Sequence, residues 1–451
     1  MQTLNPISRF FASGVLLLVL SVAVNGADGD KAAAGAEKKS DDSSWLVNPF
    51  SEMLKPVNEA GIGKFSGQVQ FLGMRRTWDK DTESSGGTVA ATIRYRTPEF
   101  HGISGGLEFI FCPELFEGGS GEPRQGGAWN VLNDDFNLLS EAFIDVKLGF
   151  IGLDKSSIRV GRMKSNYDFA PTYAIRQKAQ YLEAAVLKLY DIEHFKIDIG
   201  HIEKFSSWSG RDGAGDWLRA DFNRVEDVIA HYEGDDRINS ANTGMQFVQI
   251  KTDIIPGVDL TVYDLFGCDL YNTFGVKANV DVVKNDDWSL KWKNHYISQR
   301  GVGSYPVSLS SDVIESSLAF KCGDFTLEPG IMTVFGGNEA SNDHRHPFES
   351  SLTWQYTLMW NTRANLGGSD TFFLKSSYTL GDHFFYALGM VTCHENDVDG
   401  GSTDYELNGV YRYKFTENIS ATIKAGWGLH NEGDGDSPER TDLRLFVTYK
   451  F

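Results

Sequence analysis

Apolar and polar residues alternate along most of this chain. Val89, Ala91, Ile93 and Tyr95 share one row, with Ala90, Thr92, Arg94 and Arg96 in the other. Ala142, Ile144, Val146 and Leu148 alternate with Phe143, Asp145 and Lys147. Phe195, Ile197 and Ile199 alternate with Lys196 and Asp198, and Phe274 to Val282 alternate with Lys277, Asn279 and Asp281. Trp288, Leu290 and Trp292 alternate with Lys291 and Lys293, and Ile419 to Trp427 with Thr422, Lys424 and Gly426. A period of two means strands with two chemically different faces. The segments run roughly ten residues, the length a tilted strand needs to cross a bilayer. Strands of soluble sandwiches are usually nearer five or six. A bilayer leaves no strand edge unpaired, so the pattern predicts an all-β, closed antiparallel transmembrane β-barrel over residues 64–451.

The connections predict its size. Short links at 98–101, 152–155, 191–193, 255–257, 285–287, 323–324, 381–382 and 416–418 read as periplasmic turns, with longer outer loops between them. The link at 267–269 is a short outer exception. Leu352, Trp354, Tyr356 and Leu358 also alternate. Placing 351–362 in the wall would put every later loop on the wrong side. Residues 336–370 are therefore expected to be one outer excursion, which gives about 18 strands, with 16 as the alternative.

The last strand fits this count. Leu443, Leu445, Val447, Tyr449 and Phe451 form one row. Arg444, Thr448 and Lys450 fall in the other, interrupted by Phe446. The chain ends on the aromatic itself, and this resembles the terminal strand of bacterial outer-membrane barrels. The resemblance implies that Tyr449 and Phe451 form an assembly signal for the periplasmic barrel-assembly machinery. At the other end, Arg9, the apolar run 10–24 and the small Gly26 and Ala27 read as a signal peptide, residues 1–27. Residues 28–63 read as a linker and periplasmic segment.

Composition changes this picture little. Net charge is −19, which argues against nucleic-acid binding. No later stretch is continuously apolar over a helical span; a barrel shows none either, since only alternate residues meet lipid. Cys112, Cys268, Cys322 and Cys393 are scattered singly, without metal-ligand spacing. Their pairing is open, and no cofactor or metal is expected.

The polar rows place basic side chains on the inner wall: Arg94, Arg96, Lys147, Lys277, Lys291, Lys293, Arg412, Lys424 and Arg444, with Lys196 and Lys414. Acidic residues are expected on outer loops facing this wall. The stretch from Ile158 to Glu183 holds Lys164, Tyr167, Asp168, Tyr173, Arg176 and Lys178, with Pro171 setting a bend. Charges and tyrosines of this kind suit a pore constriction; the alternative is an ordinary surface loop.

Gly161-Arg162, a loop with Pro171, and Arg176-Gln-Lys-Ala-Gln180 entering the next strand are similar to the third-loop region of the OprD family of outer-membrane porins. Gly257-Val-Asp-Leu-Thr-Val-Tyr-Asp-Leu-Phe266, Tyr271-Asn-Thr-Phe274 and Trp288 to Gly301 resemble that family's central hairpins. The resemblance is diffuse and spans residues 64–451. It implies an 18-stranded channel, monomeric or homotrimeric, in outer-membrane lipid. It also implies a pore narrowed by the third and seventh outer loops, and a basic wall guiding small carboxylate-bearing solutes. Arg176 stands where the family has an arginine. Lys178 and Ala179 stand where a second proline is expected, which leaves loop shape and solute open.

Two other readings remain. A hydrolase needs a nucleophile with a base, and no G-x-S-x-G motif accompanies His344 and His346. An adhesion or structural barrel would use the oxygen-rich stretches 396–400 and 431–436, which lack EF-hand spacing.

Overall fold

The computed structural model describes residues 54–56, 58–78, 82–120, 136–170, 176–206, 222–225, 227, 229, 244–305, 308–336, 343–344, 364, 366–394, 402–431 and 439–451. Twenty strand elements form one antiparallel sheet. They are β1 (Lys64–Trp78), β2 (Thr82–Arg96), β3 (Ile103–Cys112), β4 (Glu114–Ser120), β5 (Phe136–Leu148), β6 (Leu153–Lys164) and β7 (Tyr181–Leu189). Next come β8 (Phe195–Ser206), β9 (Asn223–Arg224), β10 (Met245–Thr252), β11 (Val258–Gly267), β12 (Tyr271–Lys284), β13 (Trp288–Gly301) and β14 (Ser310–Cys322). The last six are β15 (Phe325–Phe335), β16 (Ser369–Leu380), β17 (His383–His394), β18 (Ser402–Lys414), β19 (Ile419–Asn431) and β20 (Glu439–Lys450).

Two elements add no wall strand. β4 continues β3 along the same partner, β2, after Pro113 interrupts the ladder. β9 is a two-residue piece on the outer end of β8. Eighteen wall strands result, and the expected closed barrel is the one observed. β15 pairs directly with β16, from Val334↔Ser369 to Phe325↔Tyr378, so no wall strand lies between them. The segment 351–362 itself lies outside the described residues.

β1 closes the wall against β20, with Gln68 opposite Lys450 and Trp78 opposite Arg440. The lumen side of this seam carries Gln70 donating to Thr448 Oγ1 at 2.9 Å and Arg76 Nε donating to Asp442 Oδ2 at 2.8 Å. Between them Leu72, Met74 and Phe446 are buried together. A one-residue slip would turn all of these out of the lumen, so they hold the register. Phe451 extends the seam: its N–H donates to Gly67 O at 3.0 Å, and Gly67 N–H donates to Phe451 O at 2.8 Å. A Cβ at Gly67 would sit 2.6 Å from the Phe451 ring, so only glycine leaves room for it.

The outward rows carry exposed apolar side chains all round, including Ile93, Leu107, Ile144, Val160, Ile199, Trp292, Ile314, Phe372, Leu407 and Leu443. Such a belt on a closed barrel is a lipid-facing surface. Rings gather near its inner edge as Trp288–Phe320, Phe385–Tyr411, Tyr413–Phe415 and Tyr449–Phe451 pairs. All four cysteines are free. Cys112 is buried, Cys268 is exposed in the turn after β11, and Cys322 is exposed at the end of β14.

Candidate functional site

The inward rows change character along their length. On β12 the row runs Tyr271, Thr273 and Gly275 at the outer end, then Lys277, Asn279 and Asp281. On β13 Ile297 gives way to His295, Lys293 and Lys291; on β14 Val313 gives way to Glu315. On β15 Val334 and Met332 precede Glu328, and on β16 Phe373 precedes Lys375. The outer stretch is buried with Val225, Ile229, Tyr305, Leu309 and Ala364 from the outer connections. On this flank the outer lumen is therefore packed with side chains. The charged inner stretch borders a cavity of about 230 Å³ lined by Lys277, Lys293, His295, Glu315, Glu328 and Lys375, among others.

Residues 165–170 and 176–180, the described arms of the connection from β6 to β7, reach into the lumen. The base of the connection is pinned by Ser165 N–H donating to Gln180 O at 3.2 Å. The first arm reaches β10, β11 and β12. Tyr167 and Phe169 stack at 5.1 Å and pack on Phe247, at 4.7 and 5.0 Å, and Phe169 lies 5.9 Å from Tyr263. Tyr263 can lie flat across the wall because its β12 neighbour is Gly275, where a Cβ would come within 2.1 Å of the ring. Asp168 N–H donates to Gln249 Oε1 at 2.8 Å. The Asp168 carboxylate takes a hydrogen bond from Lys277 Nζ at 3.1 Å and a close charge contact from Lys251 Nζ at 2.6 Å. Burial alone would raise its pKa; Lys277 and Lys251 outweigh that and hold it below the ordinary carboxylate range.

The second arm reaches the opposite way. Gln177 Nε2 donates to Thr88 Oγ1 at 2.7 Å and to Gln70 O at 3.3 Å, on β2 and β1. Lys178, by contrast, stays on the first arm's side: its Nζ donates to Ser206 Oγ at 2.8 Å on β8, the wall neighbour of β10. β2 and β12 stand on nearly opposite sides of the eighteen-strand wall. One connection anchored to both is a strap across the opening.

Charge on the inner wall falls into two groups. Most cations are matched by wall carboxylates: Arg94 with Glu108, Arg96 with Glu141, and Arg159 with Asp145. Lys291 lies 3.1 Å from Asp281, Lys293 lies 2.7 Å from Glu328, and Arg444 Nε lies 2.7 Å from Asp442. At the inner mouth Lys147 lies 2.7 Å from Glu99. Arg412 and Lys424 differ. Arg412 sits 4.8 Å over the Phe384 ring and Lys424 5.1 Å from the Phe446 ring centre. Neither they nor Lys414 form an ion pair among the described residues.

No family model and no curated protein matches this sequence. Solved structures do match. OpdQ of Pseudomonas aeruginosa superposes with a TM-score of 0.64 at 13% identity, over 86% of this chain and 98% of that one. OccAB4 of Acinetobacter baumannii gives 0.66 at 15% identity, over 86% and 97%. A BenF-like porin from Pseudomonas fluorescens Pf-5 gives 0.66 at 9%, over 86% and 98%. The fold is the porin fold. At these identities the likeness extends to the fold alone, the one expected from the OprD resemblance.

Within the porin fold the expected residues are placed unevenly. Tyr167 and Asp168 are on the strap's first arm, and Asp168 alone meets wall cations. Arg176 and Lys178 are on the second arm, both buried. Lys164 is exposed at the end of β6, and Tyr173 lies outside the described residues. The expected basic residues do occupy the inward rows. The wall carries carboxylates of its own beside those expected on the outer loops: β3, β5, β12, β15 and β20 supply Glu108, Glu141, Asp281, Glu328 and Asp442. Lys251, Lys375, Glu108, Glu141, Glu328 and Asp442 went unnoticed in sequence, whereas the alternation already put Asp281 in a polar row with Lys277. Glu108 stands among Leu107, Phe109, Ile110 and Phe111, where neighbours on both faces are apolar and the alternation is masked.

Proposed function

We propose that this chain is an outer-membrane porin, a non-enzymatic channel for passive diffusion of small hydrophilic solutes, and that it prefers anions. One observation carries the reading: a closed wall, apolar outside, encloses a charged lumen that the β6–β7 strap narrows. An eighteen-strand barrel is wide enough to hold water and solute. Selectivity then rests on wall charge and on the inward connection. Paired cations largely cancel against their carboxylates. Arg412, Lys414 and Lys424 do not, and they supply the excess positive field in the inner lumen. Asp168, Tyr167, Lys251 and Lys277 form the constriction, and Arg176 and Lys178 brace the strap from within.

In this reading residues 1–27 direct export and 28–63 precede the wall on the periplasmic side. Phe451, seated on Gly67, serves as the handle for barrel assembly. Stepwise conductance of purified protein in a planar bilayer is the expected result. A folded barrel with no conductance would contradict the channel and favour a structural barrel.

A further inference from the structure

One patch of the lipid-facing surface is polar at mid-depth. On β13 the outward row runs Trp292, Asn294, Tyr296, Ser298 and Arg300. Trp288 packs on Phe320 near the inner edge of the apolar belt, and Arg300 lies 2.7 Å from Asp312 at its outer end. Asn294 stands midway between Trp288 and Arg300 along the strand. Its Oδ1 accepts from Ser316 Oγ at 3.0 Å, and Ser316 Oγ accepts from Trp292 Nε1 at 3.0 Å. This run of hydrogen bonds ends on the Asn294 amide, whose two N–H donors meet no acceptor among the described residues. Beside it the wall is grooved. The β14–β15 ladder lapses between Ser317↔Gly330 and Phe320↔Leu327, where Pro329 has no N–H to give. Trp292, Ser316, Leu318, Pro329 and Ile331 line the resulting shallow groove on the outside.

An unpaired amide at this depth is costly, because acyl chains offer no acceptor and water is absent. Only another membrane-embedded protein brings one. A carboxamide donates and accepts at once, and Asn294 Oδ1 keeps a second lone pair, so the same amide on a second copy of this chain completes it. We propose that the outward face of β12 to β15 is a two-fold interface between copies of this chain, with the Asn294 amides paired across the axis. The inference goes beyond the channel reading and needs only the closed barrel in lipid. Both copies enter the membrane the same way up, so the axis runs along the bilayer normal and the patch meets itself. The groove at Pro329 lets the two walls approach closely enough for the amides to meet. Four strands about 4.8 Å apart across a bilayer core of about 30 Å offer roughly 600 Å² per copy, or about 1,200 Å² in the pair. That is the lower bound of the area buried in stable complexes.

The test uses the full-length barrel in liposomes at a series of low protein densities, with Cys268, Cys322 and Cys393 changed to serine. Ser298→Cys reports on the proposed face, and Thr441→Cys, on β20, reports on the far side of the wall. A short bis-maleimide should link Ser298→Cys into covalent pairs and leave Thr441→Cys as single chains. Adding Asn294→Leu to Ser298→Cys should lower the association constant, read from the linked fraction against density, by about tenfold, the order expected for a pair of amide hydrogen bonds in lipid. Asn294→Gln should keep most of the linking. Leucine suits a lipid-facing position, and compact migration of the unheated variant on a gel shows that it is folded. Single chains from both reporters, equal linking at both, or linking that Asn294→Leu leaves unchanged overturns the interface. None of these outcomes touches the conductance that tests the channel.

Discussion

Two flanks of the lumen carry cations in the same inward rows, yet under different conditions. On β12 to β16, Lys291, Lys293 and Lys375 stand among Asp259, Asp281, Glu315 and Glu328. On β18 and β19, Arg412 and Lys424 stand against rings. The difference teaches that a count of inward basic residues overstates the positive field. A paired lysine leaves a dipole, whereas one over an aromatic face keeps its charge. The first flank can orient a solute; the second can attract an anion.

Charge reversal separates the flanks most strongly. Lys424→Glu with Arg412→Glu should turn an anion-preferring channel toward cations, a several-fold change in permeability ratio read from reversal potentials. Lys293→Gln should shift the same ratio less, because it changes the lumen charge by one unit, against four for the double reversal. Equal shifts from the two changes would erase the distinction between flanks.

Stability offers the next contrast. Asp442 is fully buried between Arg76 and Arg444, whose side chains are 12% and 3% exposed. Asp442→Asn leaves two buried guanidinium groups without their carboxylate, at a cost of about 3–5 kcal/mol. Urea unfolding of the folded barrel should show it. On the half-exposed flank, Lys291→Gln should cost about 1 kcal/mol or less. A large loss there and none at Asp442 would reverse the ranking.

Acid gives a smaller effect with a definite sign. Asp168 is held below the ordinary carboxylate range. The groups facing it are Lys251, Lys277, His295 and Tyr263. Its attraction to the lysines is fully present above that range and is lost only as pH falls below it. Chloride current should therefore acquire an acid step below the usual carboxylate titration, and Asp168→Asn should lack it. A step in the ordinary range that persists in Asp168→Asn would assign it to other carboxylates.

Much of the barrel was legible in the sequence. Alternation located the wall strands, and the loop lengths forced 351–362 out of the wall, so that β15 meets β16. Those features depend on local spacing. The lumen depends on neighbours in space. Tyr263, Ile297 and Val313 occupy inward positions that alternation assigns to polar groups, because outer connections cover them. Phe446 broke the polar row for the same reason: it meets Leu72 and Met74 across the closing seam. The strap was recognisable from its charges and tyrosines. Which of them face wall cations was not, since Lys251 and Gln249 lie some eighty residues beyond Asp168.

The most direct test of the central claim is the reversal potential of single wild-type channels under a potassium chloride gradient. Discrete steps with a potential of anion-preferring sign, reduced toward zero in Arg412→Gln/Lys424→Gln, are the predicted result. A cation-preferring wild-type potential, or one that the double substitution leaves unmoved, would contradict it.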